Sequence, residues 1–165
     1  MRFLKRLAKS VIYPLYEARL FRKLDRTATP KHVGVILDGN RRWAKANLAS
    51  SKSGHSAGAR KIIDFLSWCE ETDVQVVTLW MLSTDNLARE ESELQPLLEI
   101  IGEAVETLSQ FGRWKLRIVG ATDLLPEWLL SRLNLAVDQS PERERLVVNL
   151  AIGYGGRREI TDAVR

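Results

Sequence analysis

Residues that could do chemistry are concentrated in one short stretch, residues 32–43. Its first part, residues 32–37, is apolar and rich in β-branched side chains, which predicts a buried strand. Asp38 follows this strand directly, and Arg41 and Arg42 begin a basic run that is compatible with a helix. Open α/β sheets bind their ligands at the carboxyl ends of their strands. The stretch therefore places a carboxylate and two guanidinium groups where such a sheet carries its chemistry.

Two interpretations of residues 38–43 remain open when the residues are taken alone. Amide groups at the start of a helix, together with two arginines, form a suitable site for phosphate. A single carboxylate can hold Mg²⁺, which usually binds through one or two carboxylates plus substrate phosphates. However, Asp38-Gly39 is also a strong turn signal, and an Asp or Asn often serves only as a helix N-cap. These residues give the two interpretations about equal weight.

The composition predicts one globular domain. A length of 165 residues allows a sizeable core, and the apolar and charged fractions are ordinary for a soluble protein. The single cysteine, Cys69, excludes an internal disulfide. We expect it to be a small core residue in a protein of a reducing compartment. No apolar run is long enough to cross a membrane.

The positive charge is distributed unevenly along the chain. Residues 1–31 contain nine Lys or Arg and two acids, a net charge of +7, and the whole chain carries +4, so the remaining residues sum to −3. The charge therefore belongs to an arm and not to the whole surface. This distribution argues against a nucleic-acid-binding protein.

The chain divides into an arm, residues 1–30, and a body, residues 31–165. The arm is predicted to be helical up to residue 26 and to end in a linker, residues 27–30, that contains a proline. Its apolar residues recur at helical spacing on one face: Leu4, Leu7, Val11, Leu15. A basic amphipathic helix of this kind can lie on an anionic membrane surface. It can equally pack on the body or on a partner subunit.

The body alternates predicted strands and helices. Strands are predicted at residues 32–37, 74–82, 114–119 and 146–152, and helices at 54–71, 90–111, 124–137 and from Arg157 onward. Residues 47–53 and 83–89 are predicted loops, and 153–156 a turn. This order predicts a single α/β domain with a mostly parallel central sheet and helices on both faces. The phosphate-binding signatures of nucleotide-binding folds are not present.

Four motifs in this order resemble the cis-prenyltransferases, the undecaprenyl diphosphate synthase family. They are HVGVILDGNRRWAK from residue 32, GHSAG from residue 54, LSTDNLAR from residue 82 and VNLAIGYGGR from residue 148. The resemblance covers nearly everything from Lys31 onward. The lead-in around residues 13–17 is similar to the short-chain actinobacterial branch, which makes Z-farnesyl diphosphate.

The resemblance implies a Mg²⁺-dependent condensation of an allylic diphosphate with isopentenyl diphosphate, which creates a new cis double bond. Asp38 is then the metal ligand and a catalytic residue, and Asn86 is the second catalytic residue. An amide is not a base at neutral pH, so Asn86 is expected to orient a water or to pass the proton toward diphosphate. Glu93 could order the loop after the second strand, or could simply be an acid favoured at a helix start.

The resemblance also implies a set of substrate-binding residues. His55 is expected to contact phosphate or to handle a proton, and Arg89 to supply a second cation for diphosphate. Trp43 is expected to pack beside the site, although a core aromatic is as good an interpretation. The full set of substrate-binding residues is Gly39, Asn40, Arg41, Arg42, Trp43, Ser51, His55, Ser83, Thr84, Asp85, Leu87, Arg89.

Three positions depart from the family pattern. Leu87 stands where many members have a tryptophan, and Ser51 stands where an arginine is common. Met81 stands where long-chain synthases tend to have a small residue that lines the product tunnel. A bulky side chain there would fill the volume that a longer product needs, so we expect a short product, about farnesyl length.

The family pattern continues beyond Arg165 with a segment that binds isopentenyl diphosphate, and we expect the chain to lack it. An inactive or truncated partner subunit of a cis-prenyltransferase is therefore the alternative to an active enzyme. A phosphatase or generic phosphate-binding protein would fit the sheet but not the four ordered motifs. We further expect a homodimer in the cytoplasm; peripheral contact at the inner face of the membrane is one of the three interpretations of the arm.

Overall fold

The protein is described by a computed structural model in which residues 2–37, 51–142 and 145–164 are placed. The strands of this part are β1 (His32–Ile36), β2 (Val76–Ser83), β3 (Lys115–Val119) and β4 (Val147–Tyr154). The α-helices are α1 (Arg2–Lys23), α2 (Ser51–Glu71), α3 (Thr84–Leu87), α4 (Glu91–Phe111), α5 (Glu127–Asp138) and α6 (Gly156–Ala163). Short 3₁₀ turns lie at Arg26–Ala28 and Thr122–Leu124.

The strands form one parallel sheet in the order β1-β2-β4-β3. Residues Val77 of β2 and Val148 of β4 lie opposite each other, as do Leu79 and Leu150. Parallel strands are buried on both faces and therefore have nearly continuous apolar sequences. The sequences of β2 and β4 have this character. The predicted α/β class with a parallel sheet is confirmed.

A single apolar core joins the sheet to three long helices. Helix α2 packs beside α4, and α4 beside α5, while α5 also contacts β3. Their buried side chains share one cluster with those of the strands, and its fully buried members include Leu66, Val77, Leu79, Leu98, Trp114, Leu129, Leu150. Each fully buried leucine contributes about 1.5–3 kcal/mol relative to an exposed one. The helical spacing of Leu94, Leu98, Ile101 and Val105 explains why α4 turns one face to this core.

Two serines satisfy polar groups inside this core. The Ser109 hydroxyl donates to the Ala136 carbonyl at 2.8 Å, and the Leu116 N–H donates to Ser140 Oγ at 3.2 Å. Cys69 is buried in the core, as predicted, and burial raises the pKa of its thiol. Both buried serine hydroxyls are therefore paired, and the Cys69 thiol stays protonated at neutral pH.

An ionic clamp fastens α4 to α5. Arg132 donates through Nε and Nη2 to Glu106 at 2.7 and 2.8 Å and through Nη1 to Glu99 at 3.0 Å. The guanidinium lies directly over Gly102, where a Cβ would be 2.9 Å from its Cζ. The hydrogen bonds from Arg132 lower the pKa of Glu106. Glycine is needed at position 102 because it leaves room for this side chain.

Several predicted boundaries are wrong by a few residues. Residues 51–53 were expected in a loop but belong to α2, and the predicted loop 83–89 contains α3. The predicted helix 124–137 begins only after Pro126, since a proline is accommodated at a helix start and not inside it. The predicted turn 153–156 is shorter, because β4 continues to Tyr154.

The arm is a helix that stands apart from the core. Every described side chain of α1, residues 12–23, is exposed. The 3₁₀ turn after it falls where the linker was predicted and is capped by Asp25, whose Oδ1 accepts from the Thr27 N–H at 2.9 Å. Arg26 then pairs with Asp73 of the body at 3.0 Å. None of the described helices combines the length and the apolar character that a membrane span needs.

Candidate active site

The carboxyl ends of β1 and β2 lie side by side at one edge of the sheet. Ile36 is opposite Trp80, and the Leu37 N–H donates to the Trp80 carbonyl at 3.3 Å. Asp38 is the next residue in the sequence and lies outside the described residues, as do all of residues 38–50. β1 therefore ends beside β2, the strand that leads to Ser83 and Thr84. This is the edge at which open α/β sheets bind ligands.

Helix α3 holds Asn86 at this edge. Ser83 is its N-cap, and Ser83 Oγ accepts a hydrogen bond from the Asn86 N–H at 3.2 Å. Ser, Thr and Asp are preferred at such caps because they satisfy an otherwise unpaired amide. Asn86 is half-buried and Asp85 is exposed in the first turn. The serine therefore orients the backbone that carries the predicted catalytic amide.

Both central strands become irregular just before they end. The register of β2 against β4 shifts between Trp80 and Leu82 and again between Leu82 and Ser83. Met81 has no partner in β4, and Gly153, at a φ of 67°, has none in β2. Such bulges re-aim side chains and are common next to active sites. As a result the neighbours Met81 and Leu82 both contact the core.

The segments after β2 and β4 touch through a glycine. A Cβ at Gly155 would collide with the Thr84 side chain, whereas a Cβ at Gly156 would meet nothing within 4 Å. Ser83 and Tyr154 lie opposite each other one residue earlier. Gly155 is thus required for close approach, and it fixes the start of α6 against α3.

A second glycine contact joins the end of β3 to the end of β4. Gly120 has a φ of 119°, and a Cβ there would collide with the Ile152 carbonyl oxygen. The Ala121 N–H donates to the Gly153 carbonyl at 3.1 Å. Because the colliding atom is backbone and the φ is positive, no other residue fits position 120 without strain.

Tyr154 lies at the end of β4 between an aromatic ring and a carboxylate. Its ring meets Trp80 edge to face, with centroids 5.9 Å apart. Its hydroxyl hydrogen-bonds to Glu159, which raises the pKa of Tyr154. The phenol therefore stays protonated at neutral pH and acts as a donor, not as a base.

A cleft of about 380 Å³ lies beside this edge, on the side of β3. Among the described residues, its lining contains none of the sequence-predicted site residues. Arg158 and Asp123 form an ion pair across it at 2.7 Å. Arg158 is the cation that lines this cleft, and it is already paired with Asp123. We therefore place the candidate site at the ends of β1 and β2 and not in this cleft.

The predicted site residues fall into three groups. Residues 38–43, which include Asp38, Arg41 and Arg42, lie outside the described residues. Ser51 and His55 lie in the first turns of α2, where their side chains are not described. The remaining residues come together on or beside α3, and they are Ser83, Thr84, Asp85, Asn86, Leu87, Arg89.

The predicted site residues on or beside α3 differ from one another in solvent exposure. Arg89 and Asn86 are half-buried, and Leu87 is half-buried against the core. Leu87 therefore offers an apolar surface beside the polar residues. Glu93, which was expected to order this segment or to be a simple helix-start acid, lies in the first turn of α4.

Comparison of the sequence with known proteins identifies its family. The sequence model of the Prenyltransf family, described as "Putative undecaprenyl diphosphate synthase", matches residues 36–165. The chain belongs to the undecaprenyl diphosphate synthase family. Its prenyltransferase relatives include a (2Z,6E)-farnesyl diphosphate synthase of Thermobifida fusca, 54% identical over 160 residues, and Isoprenyl transferase 1 of Streptomyces avermitilis, 51% identical over 157 residues.

The chain spans about three fifths of the length of these prenyltransferases. The matches cover 96% and 95% of this chain but only 63% and 61% of the two relatives. A (2Z,6E)-farnesyl diphosphate synthase of Mycobacterium tuberculosis is 44% identical over 161 residues, and the match covers 95% of this chain and 62% of that relative.

Solved structures of the family share the fold. Lavandulyl diphosphate synthase from Lavandula x intermedia, solved with dimethylallyl diphosphate, superimposes with a TM-score of 0.72 at 30% identity. That match covers 83% of this chain and 60% of the other. A probable undecaprenyl diphosphate synthase from Campylobacter jejuni gives a TM-score of 0.62 at 27% identity, with 81% and 58% covered.

Four residues that shape this edge of the sheet are not among the predicted site residues, although three of them lie in the motif VNLAIGYGGR. Gly120, Gly153 and Gly155 set its backbone, and Tyr154 donates to Glu159 beside it. The glycines of residues 153–156 predict a turn, whereas Gly153 belongs to β4 and Gly156 begins α6. The positive φ of Gly153 inside a strand and the contact of Gly155 with Thr84 depend on how two strand ends meet.

The predicted ligand of Mg²⁺, Asp38, lies outside the described residues. No group of three or more His, Cys, Asp or Glu side chains suited to a metal occurs among the described residues. Only one carboxylate, Asp85, stands in the described part of the α3 segment. Single carboxylates suit Mg²⁺, which keeps water and phosphate ligands, and do not suit an all-protein zinc site.

Proposed function

We propose that this chain is, or forms the main part of, a cis-prenyltransferase that condenses isopentenyl diphosphate with an allylic diphosphate. The observation that carries the proposal is the meeting of the β1 and β2 ends. It joins Leu37, the residue before Asp38, to Trp80 of the strand that leads to Ser83 and Asn86, with the Leu37 N–H donating to the Trp80 carbonyl at 3.3 Å, so the first and third motifs include neighbouring strands. These are two of the four motifs of the prenyltransferase pattern, and they are far apart in the sequence.

Asp38 would hold Mg²⁺, which neutralises the diphosphate as it leaves the allylic substrate. Charge on the leaving group grows in the transition state, so removal of this carboxylate should lower turnover more than binding. Arg41 and Arg42 would bind the same diphosphate, together with backbone amides of Gly39 and Asn40. Trp43, Ser51 and His55 complete this half of the site in the proposal.

The α3 segment would handle the proton and the second diphosphate. Asn86 is held by Ser83 through its backbone, so its side-chain amide is available to orient a water or to pass a proton toward diphosphate. Arg89 supplies a half-buried cation two residues beyond α3. Burial strengthens its attraction to an anion because water screens it less. Thr84, Asp85 and Leu87 line the same segment.

A short product agrees with the position of Met81. The side chain belongs to the bulge at the end of β2 and contacts the core there. Bulk at this position fills volume that a longer isoprenoid tail would need. Two relatives are named (2Z,6E)-farnesyl diphosphate synthases, and we propose a product of about that length.

We also propose a homodimer that works in the cytoplasm. The support for the dimer is the family pattern. The free, buried thiol of Cys69 supports a reducing compartment. Light scattering of the purified chain tests the dimer, and a monomeric mass at micromolar concentration would contradict it.

The test of the proposed activity is an assay of the purified chain with Mg²⁺, isopentenyl diphosphate and an allylic diphosphate. We expect release of inorganic diphosphate and a Z-configured prenyl diphosphate. A matched chain that is extended to the length of its relatives serves as the control. Activity in neither form, or hydrolysis of simple phosphate esters instead, would overturn the proposal. Activity only in the extended form would identify this chain as the inactive truncated subunit.

A further inference from the structure

An aromatic pair joins the ends of β2 and β4, and the proposed reaction makes no use of it. The rings of Trp80 and Tyr154 meet edge to face, with centroids 5.9 Å apart and an interplanar angle of 79°. Trp80 is 37% exposed, and neither ring belongs to the apolar core cluster. Rings in this geometry attract each other beyond the effect of the area that they bury. The pair therefore acts on the two strand ends and not on the core.

The two rings span the irregular part of the sheet. The pairing of β2 with β4 is regular up to Trp80, which lies opposite Ala151, and the register shifts directly after Trp80. Tyr154 lies on the other side of that shift. Backbone hydrogen bonds hold a regular ladder but are locally disrupted at a bulge. A side-chain contact across the bulge can therefore fix how the two strand ends lie relative to each other.

Trp80 connects the aromatic pair to β1. Its carbonyl accepts a hydrogen bond from the Leu37 N–H at 3.3 Å, and Leu37 precedes Asp38, the proposed ligand of Mg²⁺. Trp80 also lies opposite Ile36 in the register of β1 with β2. A displacement of Trp80 would therefore reach the end of β1.

Tyr154 connects the aromatic pair to α3. It lies opposite Ser83, which is the N-cap of α3. The next residue, Gly155, is so close to α3 that a Cβ there would collide with the Thr84 side chain. The Tyr154 hydroxyl also bonds to Glu159, but Glu159 is exposed and water competes for that bond. The ring and the backbone of Tyr154 are therefore the parts that act on α3.

We propose that Trp80 and Tyr154 are positioning residues, which hold α3 and its Asn86 in a fixed place relative to the end of β1. This role rests on the proposed function, in which Asp38 and the α3 segment serve one reaction. In that reaction the α3 segment, with Arg89 two residues beyond it, handles the proton and the diphosphate of isopentenyl diphosphate. Loss of the aromatic contact should therefore affect isopentenyl diphosphate more than the allylic substrate.

The first test is amide hydrogen exchange of the full chain without substrate, which does not depend on any activity. Trp80→Leu and Tyr154→Leu each keep an apolar side chain but remove a ring. Exchange of the Asn86 amide, which is the capped amide of α3, should become about tenfold faster or more, because α3 opens more often. Exchange of the Leu116 amide, which is buried in the core, should change by less than about twofold.

Matched variants show whether the ring contact is responsible. Trp80→Phe and Tyr154→Phe keep a ring at each position, so exchange of the Asn86 amide should stay within about threefold of the unmodified chain. Trp68→Leu and Tyr16→Leu remove rings of the same two kinds, which are 53% and 58% exposed on other helices, and should leave this exchange unchanged. Circular dichroism and melting temperature show that each variant folds.

The second test separates positioning from stability by steady-state kinetics, in whichever form of the chain, unextended or extended, condenses the two diphosphates. Trp80→Leu and Tyr154→Leu should lower kcat by about tenfold or more, since displacement of a reacting group by about 1 Å is this costly. The KM for isopentenyl diphosphate should rise by about threefold or more, while the KM for the allylic diphosphate stays within about twofold. A loss of folded protein alone would lower the apparent kcat and leave both KM values unchanged.

Three results would overturn the proposal. The first is unchanged exchange of the Asn86 amide in both leucine variants of the pair. The second is faster exchange that is equally large at Leu116 or in Trp68→Leu and Tyr16→Leu. The third is a fall in kcat with no change in the KM for isopentenyl diphosphate. If neither form of the chain condenses the two diphosphates, the proposed function fails, and the exchange at Asn86 still decides whether the pair holds α3.

Discussion

Strands β2 and β4 contain two regions that differ in kind. In their first halves the pairing is regular, and residues such as Val77, Leu79 and Leu150 are completely buried. In their last residues the register shifts, Gly153 has a positive φ, and polar residues follow. The first halves therefore supply stability, while the irregular ends position α3 and α6 at the edge where we propose that a ligand binds.

The largest expected effect compares Leu79 with Met81, two residues apart on β2. Leu79→Ala should lower the free energy of unfolding by about 2–5 kcal/mol, because it leaves a cavity in the core. Met81 is only partly buried, so Met81→Ala should cost about 1 kcal/mol. Urea denaturation measures both changes.

The same pair separates stability from product length. Met81→Ala should shift the products toward longer chains in a chromatographic analysis, because it opens volume at the bulge. Leu79→Ala should not, in preparations that remain folded. If the product spectrum of Met81→Ala were unchanged, the proposed role of Met81 would be wrong.

A second comparison uses glycines of the two regions. Gly120→Ala should destabilise the protein by about 2 kcal/mol or more, since its Cβ would collide with the Ile152 carbonyl at a positive φ. Gly34→Ala, in the regular part of β1, meets nothing within 4 Å and should be neutral or slightly stabilising. Thermal unfolding of both variants checks this, and equal melting temperatures would remove the distinction between strand body and strand end.

The contact between Gly155 and Thr84 should have an intermediate effect. Gly155→Ala should cost about 1 kcal/mol, because a threonine side chain yields more easily than backbone. Gly156→Ala is the matched control, with open space around its Cβ. Adding Thr84→Ala should restore most of the lost stability in a double-mutant cycle. Simple additivity of the two changes would show that the residues do not touch.

The smallest effect concerns the clamp of Arg132 on Glu106, which is far from both strand ends. Arg132 lowers the pKa of Glu106 below its ordinary value of 4.5. The stabilisation is therefore present above about pH 4.5 and is lost as the pH falls through the lowered pKa. Because the pair is partly exposed, the Coulombic part should stay under about 1 kcal/mol.

Arg132→Met tests this clamp. Its stability deficit against the unmodified chain, from urea denaturation, should shrink when the pH is lowered from 7 to about 3. Lys61→Met, which removes an exposed pair with Asp64, is the control for the loss of a surface cation. A deficit for Arg132→Met that is independent of pH would show that Arg132 acts only by packing.

The sequence predicted the regular region well for a physical reason. Burial on both faces of a parallel strand produces runs such as residues 147–152, and one buried helix face produces the spacing seen in α4. These patterns are local, so the strands, the long helices and the α/β class could be predicted. Asp38 and Asn86 could be singled out because motif resemblance is local too.

The irregular region could not be predicted because it depends on contacts between distant segments. The short helix α3 forms where Ser83 caps it and where it contacts β4. A helix of four residues is too short to be predicted from the periodicity of its apolar residues. The bulges at Met81 and Gly153 arise from the pairing of two strands that are about seventy residues apart in the chain.

The central claim is that the ends of β1 and β2 form one diphosphate site. The most direct test is NMR of the isotopically labelled chain titrated with an allylic diphosphate and Mg²⁺. The account predicts shifts of the backbone amides at 38–42 and 83–89, with little change at Asp73 and Gln75 on the opposite edge. Shifts confined to Asp123 and Arg158 in the neighbouring cleft, or none at 83–89, would contradict it.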